Sequence, residues 1–248
     1  MTLSTSGWKT HPVYTRVAIV GLLLYALVSL VFIILTLIDG EASTLRFFVI
    51  SIVLPVIFAG LVWRFGRRGL VLAALWGFLN LIWGYLFLVL SLRYPNSFFD
   101  FVLPLLLTVG ALLALVGAMV AFVQQRRGST RRVSTRRERW TFAAIAVALL
   151  ALFVLSGSLH VAGLTTVSAE AELGAIAVEM RNSYLAPDRL EIPVGETARI
   201  VVRNNDFFVH TFEIDELRVK HTVLPFSELL IELRRPTPVS SPTSPERR

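Results

Sequence analysis

Four histidines, three methionines and no cysteine bound the chemistry open to this 248-residue chain. Without a thiol there is no disulfide, zinc knuckle, iron–sulfur cluster or thiolate nucleophile. His210 and His221 lie in the last third of the chain, in short alternating segments close to Glu213, Asp215 and Glu216. Imidazole nitrogens joined by carboxylate oxygens make a donor set for Cu(II) or Zn(II) if the fold brings them together. Held apart, each is an ordinary surface or core histidine. His160 ends a long apolar run, where an imidazole serves either as a metal or haem ligand or, more commonly, as a structural group. No Ser-His-Asp set, glycine-rich phosphate loop or paired carboxylates can be assembled, so the expectation is a protein that is not an enzyme.

The elements that must position these residues fall into two regions. The chain is 55% hydrophobic and only 17% charged, with a mean hydropathy of +0.68, too apolar for a soluble domain of this length. Nearly all the long apolar runs precede residue 165. Val17–Ile38 is uncharged over 22 residues, enough to cross a hydrocarbon core of roughly 30 Å. Phe47–Trp63, Leu70–Leu92, Phe101–Val123 and Trp140–Val161 follow at similar length. About five transmembrane helices are therefore expected within residues 1–163.

Arginines set the expected orientation, since basic residues in short loops stay cytoplasmic. Arg64, Arg67 and Arg68 fill the second loop, and Arg126 to Arg139 supply seven arginines to the fourth, while the first and third are nearly neutral. The N-terminus is then cytoplasmic and everything after the fifth span extracytoplasmic. The formal charge of +7 belongs to this pattern rather than to nucleic-acid binding. The fourth loop also suits anionic headgroups, and its serines and threonines suit phosphorylation. None of the spans carries a mid-helix ionisable residue, which argues against a pump or channel. Asn80 is the one strongly polar residue deep in a span, expected to make an interhelical hydrogen bond or touch a ligand. Gly110, Ala114, Gly117 and Ala121 form a small-residue stripe that permits close approach of another helix.

Residues 164–174 read as a polar stalk, after which the hydrophobic period changes from helical to alternating. Strands are expected at 175–180, 189–193, 198–203, 210–214, 217–223 and 228–233, separated by turns at Ala186-Pro187-Asp188, Val194-Gly195-Glu196 and Asn204-Asn205-Asp206. Such spacing predicts a small all-β antiparallel Greek-key sandwich over 175–233, followed by a Pro/Ser/Arg-rich disordered tail at 234–248.

Tyr184-Leu185-Ala186-Pro187, Leu190-Glu191-Ile192-Pro193-Val194-Gly195-Glu196, Ile200-Val201-Val202-Arg203-Asn204-Asn205-Asp206 and His210-Thr211-Phe212 together resemble the first half of a cupredoxin domain of the plastocyanin type. The resemblance makes His210 the position of the first copper ligand, with His221 as a further candidate, and copper the implied metal. It also shows a departure. The family draws a cysteine, a second histidine and usually a methionine from one loop between its last two strands. Here the chain after Leu233 holds none of them. A type 1 site requires His₂Cys, so none is complete here. The composition change after Leu233 fits a truncated or frameshifted descendant of a longer ancestor, and the missing hairpin would leave an open sheet edge.

The resemblance implies a membrane-anchored protein of the cell envelope, related to copper-binding electron carriers or copper-handling proteins. The alternative is a metal-free extracytoplasmic binding or assembly module. Expected partners are the lipid bilayer and a redox or assembly protein, with the oligomeric state open.

Overall fold

A computed structural model describes residues 11–38, 45–128, 134–181, 184–192 and 195–234. It divides into two compact units, 1–163 and 164–248. The sequence expectations for residues 235–248, and for Pro193 and Val194 in one turn, lie outside the described residues.

The first unit is built from α1 (Val13–Ile38), α2 (Leu45–Phe65), α3 (Arg67–Ser91), α4 (Phe98–Arg126) and α5 (Arg136–Gly163), one for each apolar run. By length and composition α1, α3, α4 and α5 can each cross a membrane, and α2 is apolar over Val49–Phe65. Their outward faces carry large apolar side chains such as Leu27, Ile57, Trp83 and Phe87, all exposed, as a bilayer-embedded surface requires. Gly66 reverses the chain between α2 and α3 with φ +52, a left-handed value that glycine adopts without a Cβ clash.

The small-residue stripe of α4 meets α1. A Cβ built on Gly21 would lie 2.4 Å from the Ala114 backbone nitrogen, and one on Gly117 2.6 Å from that of Ala18. The backbones therefore touch with no side chain between them, the contact geometry that substitutes for hydrophobic driving force inside lipid. Asn80 joins α3 to the same pair: Tyr25 of α1 donates to its Oδ1 at 2.5 Å, and its Nδ2 donates to the Trp76 carbonyl. The interhelical reading of Asn80 is the one the fold realises.

The second unit contains a one-turn helix, α6 (Ala169–Glu172), and six strands: β1 (Ile176–Arg181), β2 (Tyr184–Ala186), β3 (Thr197–Asn204), β4 (His210–Ile214), β5 (Val219–Val223) and β6 (Glu228–Arg234). One sheet has the order β2-β1-β3-β6 and the other is the β4-β5 hairpin. Val178, Met180, Ile200, Val202, Ile231 and Leu233 from the first sheet close on Phe212 and Val223 from the second. This alternation, inward at every second residue, is what makes a two-layer β unit.

Three expectations are corrected. β1 and β3 pair in parallel, Val178 opposite Val202, so the larger sheet is mixed rather than purely antiparallel. Residues 189–192, the described part of the strand expected at 189–193, form no strand, and β2 at Tyr184–Ala186 takes the place beside β1 instead. Leu190 and Ile192 still pack on the core, which accounts for their strand-like alternation. Leu217 belongs to a 3₁₀ turn, Asp215–Leu217, that closes on left-handed Arg218 before β5 begins.

Candidate functional site around His210

β3 ends in a buried asparagine that shapes the loop leading to His210. Asn204 Nδ2 donates to the carbonyls of Phe208 at 2.9 Å and Val223 at 3.0 Å, while its Oδ1 accepts from the Asp206 backbone N–H at 3.0 Å. Each bond satisfies a backbone group that the sheets leave over. The side chain thus ties the end of β3, the loop and the end of β5 together. The Asn205 N–H donates to the Met180 carbonyl, fixing the same loop to β1.

Asp206 is 2% exposed, and its carboxylate Oδ2 lies 2.6 Å from His210 Nε2 at the start of β4. A buried carboxylate needs such a partner, because an unpaired one would be strongly destabilising. His210 keeps about a fifth of its side chain in solvent, 21%. The imidazole nitrogen that reaches outward from the strand is therefore already engaged.

His221 stands on β5 opposite Phe212, and His210 opposite Val223, so the two histidines are diagonal neighbours on one face of the hairpin. His221 itself is exposed. Of the acids expected to join them, Glu213 accepts a hydrogen bond from Lys220 across the hairpin, and Asp215 sits in the 3₁₀ turn at its far end. Among the described residues no cluster of three or more His, Asp or Glu side chains is close enough to hold a metal. His160, in the other unit, donates from Nδ1 to the Asn96 carbonyl at 3.1 Å.

A second polar cluster had no sequence signal. Arg203 Nε donates to Glu228 Oε1 at 2.9 Å, and its Nη2 reaches Glu172 of α6 at 2.5 Å. The Val167 N–H donates to Glu228 Oε2, and Thr165 exchanges bonds with the Glu228 backbone and carbonyl. Residues expected as a polar stalk are thereby fastened to the sheet. The Val167 N–H, and after it Arg203, hold the Glu228 carboxyl below the usual glutamate value despite burial. Hydrogen bonds to Glu172 and Glu228 push the Arg203 guanidinium up. The partners are 31 and 25 residues apart, so only the closed sheet brings them together.

Residues 145–238 match the family model described as a cupredoxin-like domain. The β unit is a cupredoxin-like domain. The matched stretch begins within α5 and runs through β6. Neither the curated proteins nor the solved structures yielded a match. A type 1 copper centre does not fit the cupredoxin-like domain of this chain, for two reasons. There is no thiolate to give the short copper–sulfur bond. His210, the residue that the sequence resemblance made the first ligand candidate, has its Nε2 against Asp206 Oδ2 at 2.6 Å.

Proposed function

We propose that this chain is a membrane-anchored, cupredoxin-like protein of the cell envelope that works as a non-enzymatic binding or assembly module rather than as an electron carrier. The His210–Asp206 pair carries the reading. Where the family resemblance puts a copper ligand, this chain has an imidazole closed against a buried carboxylate. The loop between Asn204 and His210 serves as a rigid end for the hairpin, held by Asn204. β4 and β5 pair only with each other among the described residues. A two-stranded hairpin of this kind leaves each strand without a second ladder neighbour, the arrangement to which a partner protein can add a strand.

The domain sits outside the cytoplasm and the N-terminus inside. Arg67 and Arg126 both lie 4.9 Å from the centre of the Phe122 ring, so the basic ends of α3 and α4 gather at one end of the bundle. That end stays on the cytoplasmic side. A periplasm-active reporter fused after Arg234 is expected to be active, and a cytosol-active reporter at the same place silent. The opposite pattern would reverse the orientation.

The diagonal placement of His210 and His221 favours one second reading, weak Cu(II) binding by the two imidazoles with Asp206. Titrating the full-length protein with Cu(II) and Cu(I) separates the two. The expected result is an unchanged melting temperature for wild type and His210→Ala alike, with no intense blue band. A site binding the native state would raise the melting temperature by mass action, and a rise lost in His210→Ala would establish the copper reading in place of the metal-free one.

A further inference from the structure

The cupredoxin-like domain is fastened close to the point where its chain leaves the last helix. The apolar run of α5, Trp140–Val161, rises about 32 Å, the depth of a hydrocarbon core. Thr165 comes four residues after Val161, so helix and chain together carry it at most about 10 Å past the end of that run. There it is pinned within the domain. Its carbonyl accepts from the Glu228 N–H at 2.8 Å, and its hydroxyl donates to the Glu228 carbonyl at 2.6 Å. The start of β6 is thereby kept within reach of a headgroup layer that is roughly 5–8 Å thick on each side of a bilayer.

Strand register gathers further residues at the same end. β1 and β3 are parallel and finish together, Met180 opposite Asn204, while β6 begins with Glu228 opposite Arg203. Asn204 ties in the end of β5 through the Val223 carbonyl. Tyr184, paired with Arg181 across β1 and β2, and the loop from Leu224 to Ser227 therefore share this end with Thr165.

Exposed apolar side chains follow the same polarity. Tyr184 is 77% exposed, Phe226 47% and Leu164 39%. Pro225 and Ser227, on either side of Phe226, are buried, and Phe226 itself holds φ +57, a left-handed value that a bulky side chain rarely adopts. The backbone thus turns this one ring outward, edge-on to Phe207 with centroids 5.1 Å apart. Strain of this kind clusters where a surface is used. At the opposite end of the strands Glu196, Asp215 and Arg218 are exposed instead. Leu159 and Val161, exposed on the last turns of α5, continue along the chain to Leu164, so the apolar surface suited to lipid runs up to the pinned end. A tyrosine with a polar tip beside an apolar ring suits the membrane–water interface.

We propose that the end of the cupredoxin-like domain bearing Tyr184 and Phe226 rests on the bilayer, with both rings in the interfacial layer. The contact fixes how the domain stands on its membrane and turns the charged opposite end towards water. It applies on whichever side of the membrane the domain lies, and it rests on α5 spanning the bilayer. Alkaline extraction tests that placement separately, since a chain that washes off membranes fails there and not here.

The chain has no cysteine, so a single introduced thiol carries a spin label without background. Labels at Phe226→Cys, Tyr184→Cys and Leu173→Cys are placed one at a time in the full-length protein in phosphatidylcholine vesicles. Collision with oxygen, which concentrates in lipid, is compared with collision with a water-soluble nickel chelate. Labels at 226 and 184 are expected to favour oxygen several-fold over the label at 173, which replaces a side chain 75% exposed ahead of β1 at the opposite end. Phe226→Asn keeps the left-handed backbone without the ring. It should leave the melting temperature of the domain unchanged and return the label at 184 to the value found at 173. Tyr184→Ser, read by the label at 226, should give the reciprocal loss. Equal nickel access at all three positions would overturn the proposal, as would a label at 184 indifferent to Phe226→Asn. So would a label at 226 shielded from both reagents and broadened by a neighbouring spin, the signature of a second copy covering this end.

Discussion

Gly21→Ala is expected to force α1 away from α4 and to lower the stability of the helical unit by at least 1–3 kcal/mol, about the cost of overpacking a tight interface. The added Cβ would meet the Ala114 nitrogen at 2.4 Å, the Gly110 oxygen at 2.7 Å and the Leu113 carbonyl carbon at 2.8 Å. All three are backbone atoms, so no rotamer change can relieve the contact. Leucine at the same place should prevent α1 from docking and leave Asn80 without its Tyr25 donor. Gly84 provides the comparison, because a Cβ there meets nothing within 4 Å. Gly84→Ala should be neutral or add about 0.5–1 kcal/mol through helix propensity. Thermal unfolding in detergent micelles reads both variants, and equal effects at the two glycines would refute the close α1–α4 contact.

Phe212→Ala is expected to cost about 3–5 kcal/mol and to unfold the cupredoxin-like domain while the helices stay intact. Phe212 is 1% exposed and is the largest side chain buried between the two sheets. Its neighbours belong to β1, β3, β5 and β6, strands pinned by their own ladders, so the cavity cannot close by collapse. A small domain has little stability in reserve against such a loss. Limited proteolysis of the full chain should cut the variant rapidly after Gly163 and leave the membrane fragment behind. Phe226→Ala serves as the control, since Phe226 is 47% exposed and held at φ +57, a strained value for a side-chain-bearing residue. Wild-type protease resistance in Phe212→Ala would mean that the hairpin does not close the core as described.

How much of this was readable in advance depended on which physical signal each feature uses. Continuous apolar runs can be satisfied only by helices in lipid, so the five helices stood out from one-dimensional information. The α4 stripe of Gly110, Ala114, Gly117 and Ala121 announced a close contact, but nothing in it named α1 as the partner. Thr135 and Glu138 also form a capping pair at the start of α5, an arrangement that follows a local spacing rule along the chain.

The β unit shows the opposite balance. Inward and outward alternation is identical for parallel and antiparallel neighbours, so the parallel β1–β3 pairing left no trace in the pattern. Leu190 and Ile192 alternate because they face the core, and burial without a ladder partner looks the same as a strand.

The site divides along the same line. By itself the amino-acid order determined that no thiolate is available, that the segments around His210 resemble a cupredoxin-like pattern, and that apolar spans precede them. Only the folded chain decided that His210 meets Asp206, that His221 stands two residues out of register on the adjacent strand, and that Glu172, Arg203 and Glu228 converge. Composition and local spacing survive in a linear string because they act through solvent and through neighbours along the chain. Hydrogen bonds between residues distant in sequence come into being only when register and loop shape fix where each side chain ends.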